Sequence, residues 1–127
     1  NGQAVAEFLA SHPKIAYGNY CGLPGDKYHA VAEKYLPNGS CGVVSFGVKG
    51  GREAAAAFMG HLKIAAIETH VADARTCCLH PASSTHRQMN DEQLIAAGVQ
   101  PDLVRMSCGL EDKNDLIHDI AQALDQI

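Results

Sequence analysis

The chain has 127 residues, 46% of them hydrophobic, which suits one domain able to bury a core without disulfides. Its net charge is −4 and its ten lysines and arginines are scattered rather than striped, so it lacks the electrostatic footprint of a nucleic-acid binder. No apolar run reaches the roughly 18 residues of a membrane span, and five cysteines without repeated spacing argue against a disulfide framework and for a reducing compartment, the cytoplasm.

The sequence opens at Asn1 with no methionine and no charged-then-apolar leader, and it reads as cut from something longer. From Gln3 to Ala10 the residues Ala4, Val5, Phe8 and Leu9 fall on one helical face, and Pro13 closes the segment. That helix has no evident partner within the chain, so its apolar face is expected to be exposed and to drive self-association. Lys14 to Tyr17 predicts a short strand, and Pro24-Gly25 a turn. Asp26 is placed to cap a helix reaching about Leu36, with Tyr28, Val31, Ala32 and Tyr35 as its inward stripe and Pro37-Asn38-Gly39 as its stop.

Gly42 to Val48 is β-rich and bounded by glycines, the best candidate for a central strand. Arg52 to Leu62 follows as a helix, with Ala55, Phe58, Met59 and Leu62 buried. Ile64 to Ile67 and Thr76 to Leu79 read as short strands separated by a polar bend, Glu68 to Arg75. Asn90 and Gln93 form a capping-box pair for a short helix that Gly98 and Pro101 end. Leu103 to Cys108 is a strand with Arg105 inside it. Asp112 caps a last helix, whose apolar positions are Leu116, Ile117, Ile120, Ala121 and Leu124. The alternation of strands and helices predicts an α/β two-layer sandwich, a small sheet with helices on one face.

Arg105 is the foremost candidate for chemistry. A guanidinium makes two parallel charge-assisted bonds to a carboxylate and stays charged, but a strand arginine is also satisfied by a structural acid such as Asp102. His80, His86, Cys77 and Cys78 make a poor metal set, because Cys77 and Cys78 are adjacent on a strand and point to opposite faces. His80-Pro81 instead starts a rigid loop in which Ser83, Ser84 and Thr85 are expected to satisfy backbone donors. Gly47 to Gly51 lacks the rest of a phosphate-binding motif and reads as a turn. No hydrolase elbow is present, so no residue is singled out as catalytic, and the poor Cys77/Cys78 spacing means that no metal is expected.

Three stretches carry a resemblance: His80-Pro81-Ala82-Ser83-Ser84-Thr85-His86, Ala97-Gly98-Val99, and Leu103-Val104-Arg105-Met106-Ser107-Cys108-Gly109-Leu110-Glu111-Asp112. They resemble the C-terminal domain of the pyridoxal-phosphate-dependent Cys/Met metabolism enzymes. His70 to Thr76 looks most like the O-acetylhomoserine sulfhydrylase branch. The resemblance implies the C-terminal domain of a fold type I transferase with a mostly antiparallel sheet. Residues 1–12 would be the end of an inter-domain connector helix, and residues 13–127 the substrate-side domain.

It further implies that Arg105 binds the α-carboxylate of an amino-acid substrate. Lyases and γ-synthases carry a serine that helps hold this carboxylate; position matching puts His70 there, with Thr69 beside it, and the sulfhydrylase branch departs from serine at this point. The family's cofactor lysine follows Ser-x-Thr. None of Lys14, Lys27, Lys34, Lys49, Lys63 and Lys113 follows a threonine, so pyridoxal phosphate is expected to be held by an N-terminal domain absent from this chain. The whole enzyme would be a homotetramer making homocysteine or a thioether from O-acetylhomoserine. The same domain of a methionine γ-lyase or cystathionine γ-synthase, and a free-standing α/β amino-acid-binding module, stay open as alternatives.

Overall fold

The computed structural model describes residues 1–127 and contains five strands and five helices. The strands are β1 (Ile15–Asn19), β2 (Val43–Val48), β3 (Ala66–Ile67), β4 (Cys77–Leu79) and β5 (Leu103–Ser107). The helices are α1 (Gly2–Ser11), α2 (His29–Tyr35), α3 (Gly51–His61), α4 (Asp91–Ala96) and α5 (Lys113–Asp125), with a 3₁₀ turn at Pro81–Ser83. One sheet runs in the order β1-β2-β5-β4-β3, antiparallel except for the parallel pair β4/β3. The expected mostly antiparallel α/β sandwich is therefore the observed architecture, with β2 an interior strand and β5 the middle one.

The period-2 alternation of strands divides the sheet into two faces. Val44, Phe46, Val48, Cys78, Val104 and Met106 join the apolar core with Val5, Leu9, Phe58, Leu116, Ile120 and Leu124. Phe46 and Phe58 meet edge to face at 5.8 Å, an arrangement favoured by the ring quadrupoles. On the other face, Val43, Ser45, Leu79, Leu103 and Arg105 line an open cavity. Both expected caps are present. Asn90 and Gln93 make the reciprocal capping box, and Asp112 accepts from the Asn114 and Asp115 amides.

Two expectations for helices are overturned. The face of α1 is not unpartnered: Val5, Ala6 and Leu9 are at most 1% exposed, because α1 lies on β1 and β2 and packs against α5. The reading of α2 is inverted. Tyr28, Val31 and Tyr35 are 57%, 53% and 67% exposed, and of the proposed stripe only Ala32 is buried. Asp26 does not cap it; the carboxylate accepts from the Tyr28 amide two residues on, a turn that precedes the helix start at His29.

The last helix buries an acid within its apolar stripe. Asp119 accepts from the amides of Lys63, Ile64 and Ala65 at 2.8, 2.9 and 3.1 Å, and so caps the chain where it leaves α3 for β3. Ile117 and Ala121, expected on the inward face, are only half-buried, and Ala123 takes the inner place.

Candidate functional site: the Arg105 face of the sheet

Arg105 sits in the middle strand of the open face, flanked in register by Ser45 of β2 and Leu79 of β4. These three residues, with Thr69, Thr85 and His86, surround a cavity of about 480 Å³. Asp102 does not pair with the arginine; its carboxylate accepts from the Tyr17 hydroxyl at 3.2 Å. Burial and that carboxylate together push the Tyr17 hydroxyl well above its ordinary pKa. No acid lies within ion-pair distance of the guanidinium.

What Arg105 does touch is backbone. Its Nη2 donates to the Thr69 carbonyl at 2.8 Å and more weakly to the His70 carbonyl at 3.4 Å. Its Nε is buried without any acceptor. A buried donor left without an acceptor costs roughly 1–3 kcal/mol, more for a charged group, so this atom marks where an acceptor belongs.

Thr69 and His70 thus come to the site through their carbonyls. The His70 imidazole is engaged by Glu68, its Nδ1 lying 2.9 Å from Oε2. The bend that carries them is fastened from β5. Ser107 accepts from the Ala72 amide at 2.9 Å, while Ala72 itself has a φ of 59°, a left-handed conformation unusual for alanine. At the bend's far end the Thr76 amide and hydroxyl both donate to Glu111 at 2.7 Å. Burial would raise the Glu111 carboxyl, but these bonds outweigh it and hold its pKa below the ordinary value.

The opposite wall is the loop after β4. His80 is buried, with Nε2 against the Pro101 carbonyl and Nδ1 against the Ser83 hydroxyl, both at 2.8 Å. A carbonyl can only accept, so Nε2 carries the proton and Nδ1 accepts from Ser83. Burial, with Arg52 as a further cause, holds the imidazole's pKa below its usual value despite the opposing bond to Pro101. The loop hydroxyls behave differently from expectation: Ser84 donates to the His80 carbonyl at 2.6 Å and Ser83 gives its one proton to His80 Nδ1, instead of either receiving a backbone amide. Arg52 of α3 ties the loop down by donating to the Ala82 and Met89 carbonyls and to Asp91.

His80, His86, Cys77 and Cys78 are not brought together: His80 is held by Pro101 and Ser83, away from the Cys77 thiol's contacts with Glu68 and Arg75. His86 faces Thr85, and Cys78 lies in the core, where burial raises its pKa far above the ordinary thiol range. Nor do these residues suit pyridoxal phosphate. No lysine lines the Arg105 cavity, and the one lysine that is not exposed, Lys14, donates to the Leu124 and Ile127 carbonyls. Ser45 and Ser107, which complete the arginine's surroundings, were not singled out by the sequence. Ser45 reaches Arg105 only through the β2/β5 pairing, whereas Ser107, two residues beyond Arg105 in the same strand, was signalled by strand alternation.

Comparison with known proteins agrees with this picture. The O-acetyl-L-homoserine sulfhydrylase of Leptospira meyeri is 44% identical over the whole chain, and the homocysteine synthase of Schizosaccharomyces pombe 43% identical over 98% of it. The L-methionine gamma-lyase of Fusobacterium nucleatum subsp. polymorphum is 39% identical over the whole chain. The chain spans only 29%, 29% and 32% of these relatives' lengths, respectively. A Campylobacter jejuni crystal structure, described as an O-acetylhomoserine (thiol)-lyase with N'-pyridoxyl-lysine-5'-monophosphate, superposes with a TM-score of 0.87 at 36% identity, over 98% of this chain and 30% of that one. The family model for Cys/Met metabolism PLP-dependent enzymes matches residues 1–125, and the chain belongs to that family.

Proposed function

We propose that this chain is the substrate-side, C-terminal domain of an O-acetylhomoserine sulfhydrylase, and that Arg105 anchors the α-carboxylate of the amino-acid substrate. The observation that carries the reading is the buried Arg105 Nε, a charged donor without an acceptor beside an open cavity. A carboxylate placed there would satisfy Nε and restore the fork geometry that arginine offers. The Thr69 and His70 carbonyls hold the guanidinium in place, so substrate meets a donor already aimed. Thr69 and His70 accordingly act as positioning residues through their backbone.

Pyridoxal phosphate, held by the remainder of the protein, supplies the electron sink for γ-replacement. In this reading residues 1–12 continue an inter-domain helix, residues 13–127 close the substrate side of the cleft, and the whole enzyme works as a cytoplasmic homotetramer. This domain alone has no activity. The methionine gamma-lyase relative supports a second reading, elimination from methionine on the same carboxylate anchor.

The whole enzyme decides between them. O-acetyl-L-homoserine with sulfide should give homocysteine with a kcat/KM at least about tenfold above that for elimination from methionine. The reverse ranking would replace the sulfhydrylase reading with the lyase one. Equal use of a substrate analogue whose carboxylate is an amide would remove Arg105 from both.

A further inference from the structure

We infer that Glu68, His70 and Cys77 form a binding site for a zinc-class divalent cation. The parallel pairing of β3 with β4 sets Glu68 beside the start of β4, its amide donating to the Cys78 carbonyl at 3.1 Å. Cys78 takes the core side, so the neighbouring Cys77 thiol faces the bend, 3.7 Å from Glu68 Oε2. His70 Nδ1 approaches the same oxygen at 2.9 Å, and the three ligand atoms all lie within 4.8 Å of one another.

Zinc bonds of about 2.0 to 2.3 Å in a tetrahedron separate their ligands by roughly 3.3–3.6 Å. The carboxylate and thiol already stand near that spacing. The carboxylate and imidazole must open by a few tenths of an ångström, which their side chains, 40% and 65% exposed, have the freedom to do. The donor types also select the ion: imidazole and thiolate favour zinc over magnesium or calcium, which prefer oxygen. Binding replaces the thiol proton, which leaves to solvent, and the three protein ligands leave a fourth position to water.

The cradle is rigid before any ion arrives. Arg105 holds the Thr69 and His70 carbonyls, Ser107 holds the Ala72 amide, and Glu111 holds Thr76. The site does not depend on the carboxylate-anchoring role of Arg105, since its ligands are side chains that the guanidinium does not touch.

The test uses the reduced 127-residue chain titrated with Co²⁺ alone, followed by displacement with Zn²⁺. One cobalt per chain should bind, with a near-ultraviolet thiolate-to-cobalt charge-transfer band that Zn²⁺ erases. Cys77→Ser should abolish the band, and His70→Ala and Glu68→Gln should each weaken binding at least about tenfold. Cys41→Ser, which removes an exposed thiol, should change nothing. His70 is exposed, so its variant keeps the test sound should Cys77→Ser fail to fold. No uptake with Co²⁺ in excess, a band that follows Cys41, or binding unmoved by His70→Ala would each overturn the site.

Discussion

A guanidinium whose Nε is sealed from protein acceptors carries a cost that a bound carboxylate removes, and this gives Arg105 a sharp test. In the whole enzyme, Arg105→Lys keeps the charge but replaces a rigid fork with a point donor on a flexible stem. Losing one charge-assisted bond is worth on the order of 1.5–3 kcal/mol, so kcat/KM for the amino-acid substrate should fall roughly 10- to 100-fold. Cofactor affinity and the melting temperature should hardly move. Near-normal kinetics with a clear loss of stability would make Arg105 a scaffold residue. Asp119 offers the contrasting case, a charge whose partners are all structural. Asp119→Ala leaves three backbone amides of the α3–β3 connection without their acceptor, which should cost about 3 kcal/mol and lower the melting temperature by roughly 10 °C. A shift below about 3 °C would mean that water replaces the carboxylate. From sequence, Arg105 announced itself as a lone charge in an apolar strand. Asp119 did not, because an acid on a helix reads as a solvent-side residue until the segment crossing beneath it is known.

At the scale of elements, the walls of the cavity differ in how they respond to acid. The loop after β4 is pinned by neutral His80, whose folded pKa lies below its unfolded value, so that contribution to stability is complete above about pH 6.5 and is lost as pH falls through the folded value. The bend after β3 is pinned by ionised Glu111, whose folded pKa is also depressed, so its contribution is complete above about pH 4.5 and is lost on further acidification. Melting temperature should therefore decline in two stages between pH 7.5 and 3. His80→Asn should shrink the first stage and spare the second, whereas Glu111→Gln should do the reverse. A single stage untouched by His80→Asn would show that the loop does not depend on the neutral imidazole. Gly109 is a further constraint on the same bend, because a Cβ there would run into the Ala74 carbonyl and the Arg75–Thr76 peptide. Gly109→Ala should destabilise the chain by about 1–3 kcal/mol, read as a lower denaturation midpoint. Local signals served well where the element closes on itself, as in the Asn90–Gln93 box and the Asp112 cap. They misled at α2, whose Tyr28, Val31 and Tyr35 have helical spacing but line an outward groove with Cys21 and Leu36. Periodicity finds an apolar stripe; it does not say what lies against it.

For the molecule as a whole, the decisive feature is that one core backs β1, β2, β4 and β5 on one face of the sheet and leaves the Arg105 face open. Helix α1 belongs to that core: it packs on β1, β2 and α5, so the apolar face that seemed to demand an outside partner has one at the opposite end of the chain. The sequence could not reveal this, since nothing local connects Leu9 to Leu124. The other face of the sheet holds Arg105, the proposed carboxylate anchor, but no amine able to hold a carbonyl cofactor. Lys14 is committed to the C-terminal carbonyls, Lys27 and Lys34 lie over the rings of Tyr28 and Tyr35 at 4.8 and 5.1 Å, and Lys49, Lys63 and Lys113 are exposed. An amine becomes a selective nucleophile when burial or a neighbouring cation depresses its pKa, and exposed lysines have no such advantage. The 127-residue chain incubated with pyridoxal phosphate and reduced with borohydride should therefore show only scattered, substoichiometric labelling, with no lysine preferred and none protected by an added amino acid. One pyridoxyl group per chain at a single lysine would place the cofactor on this side of the cleft and overturn the proposed division of labour between anchor and cofactor.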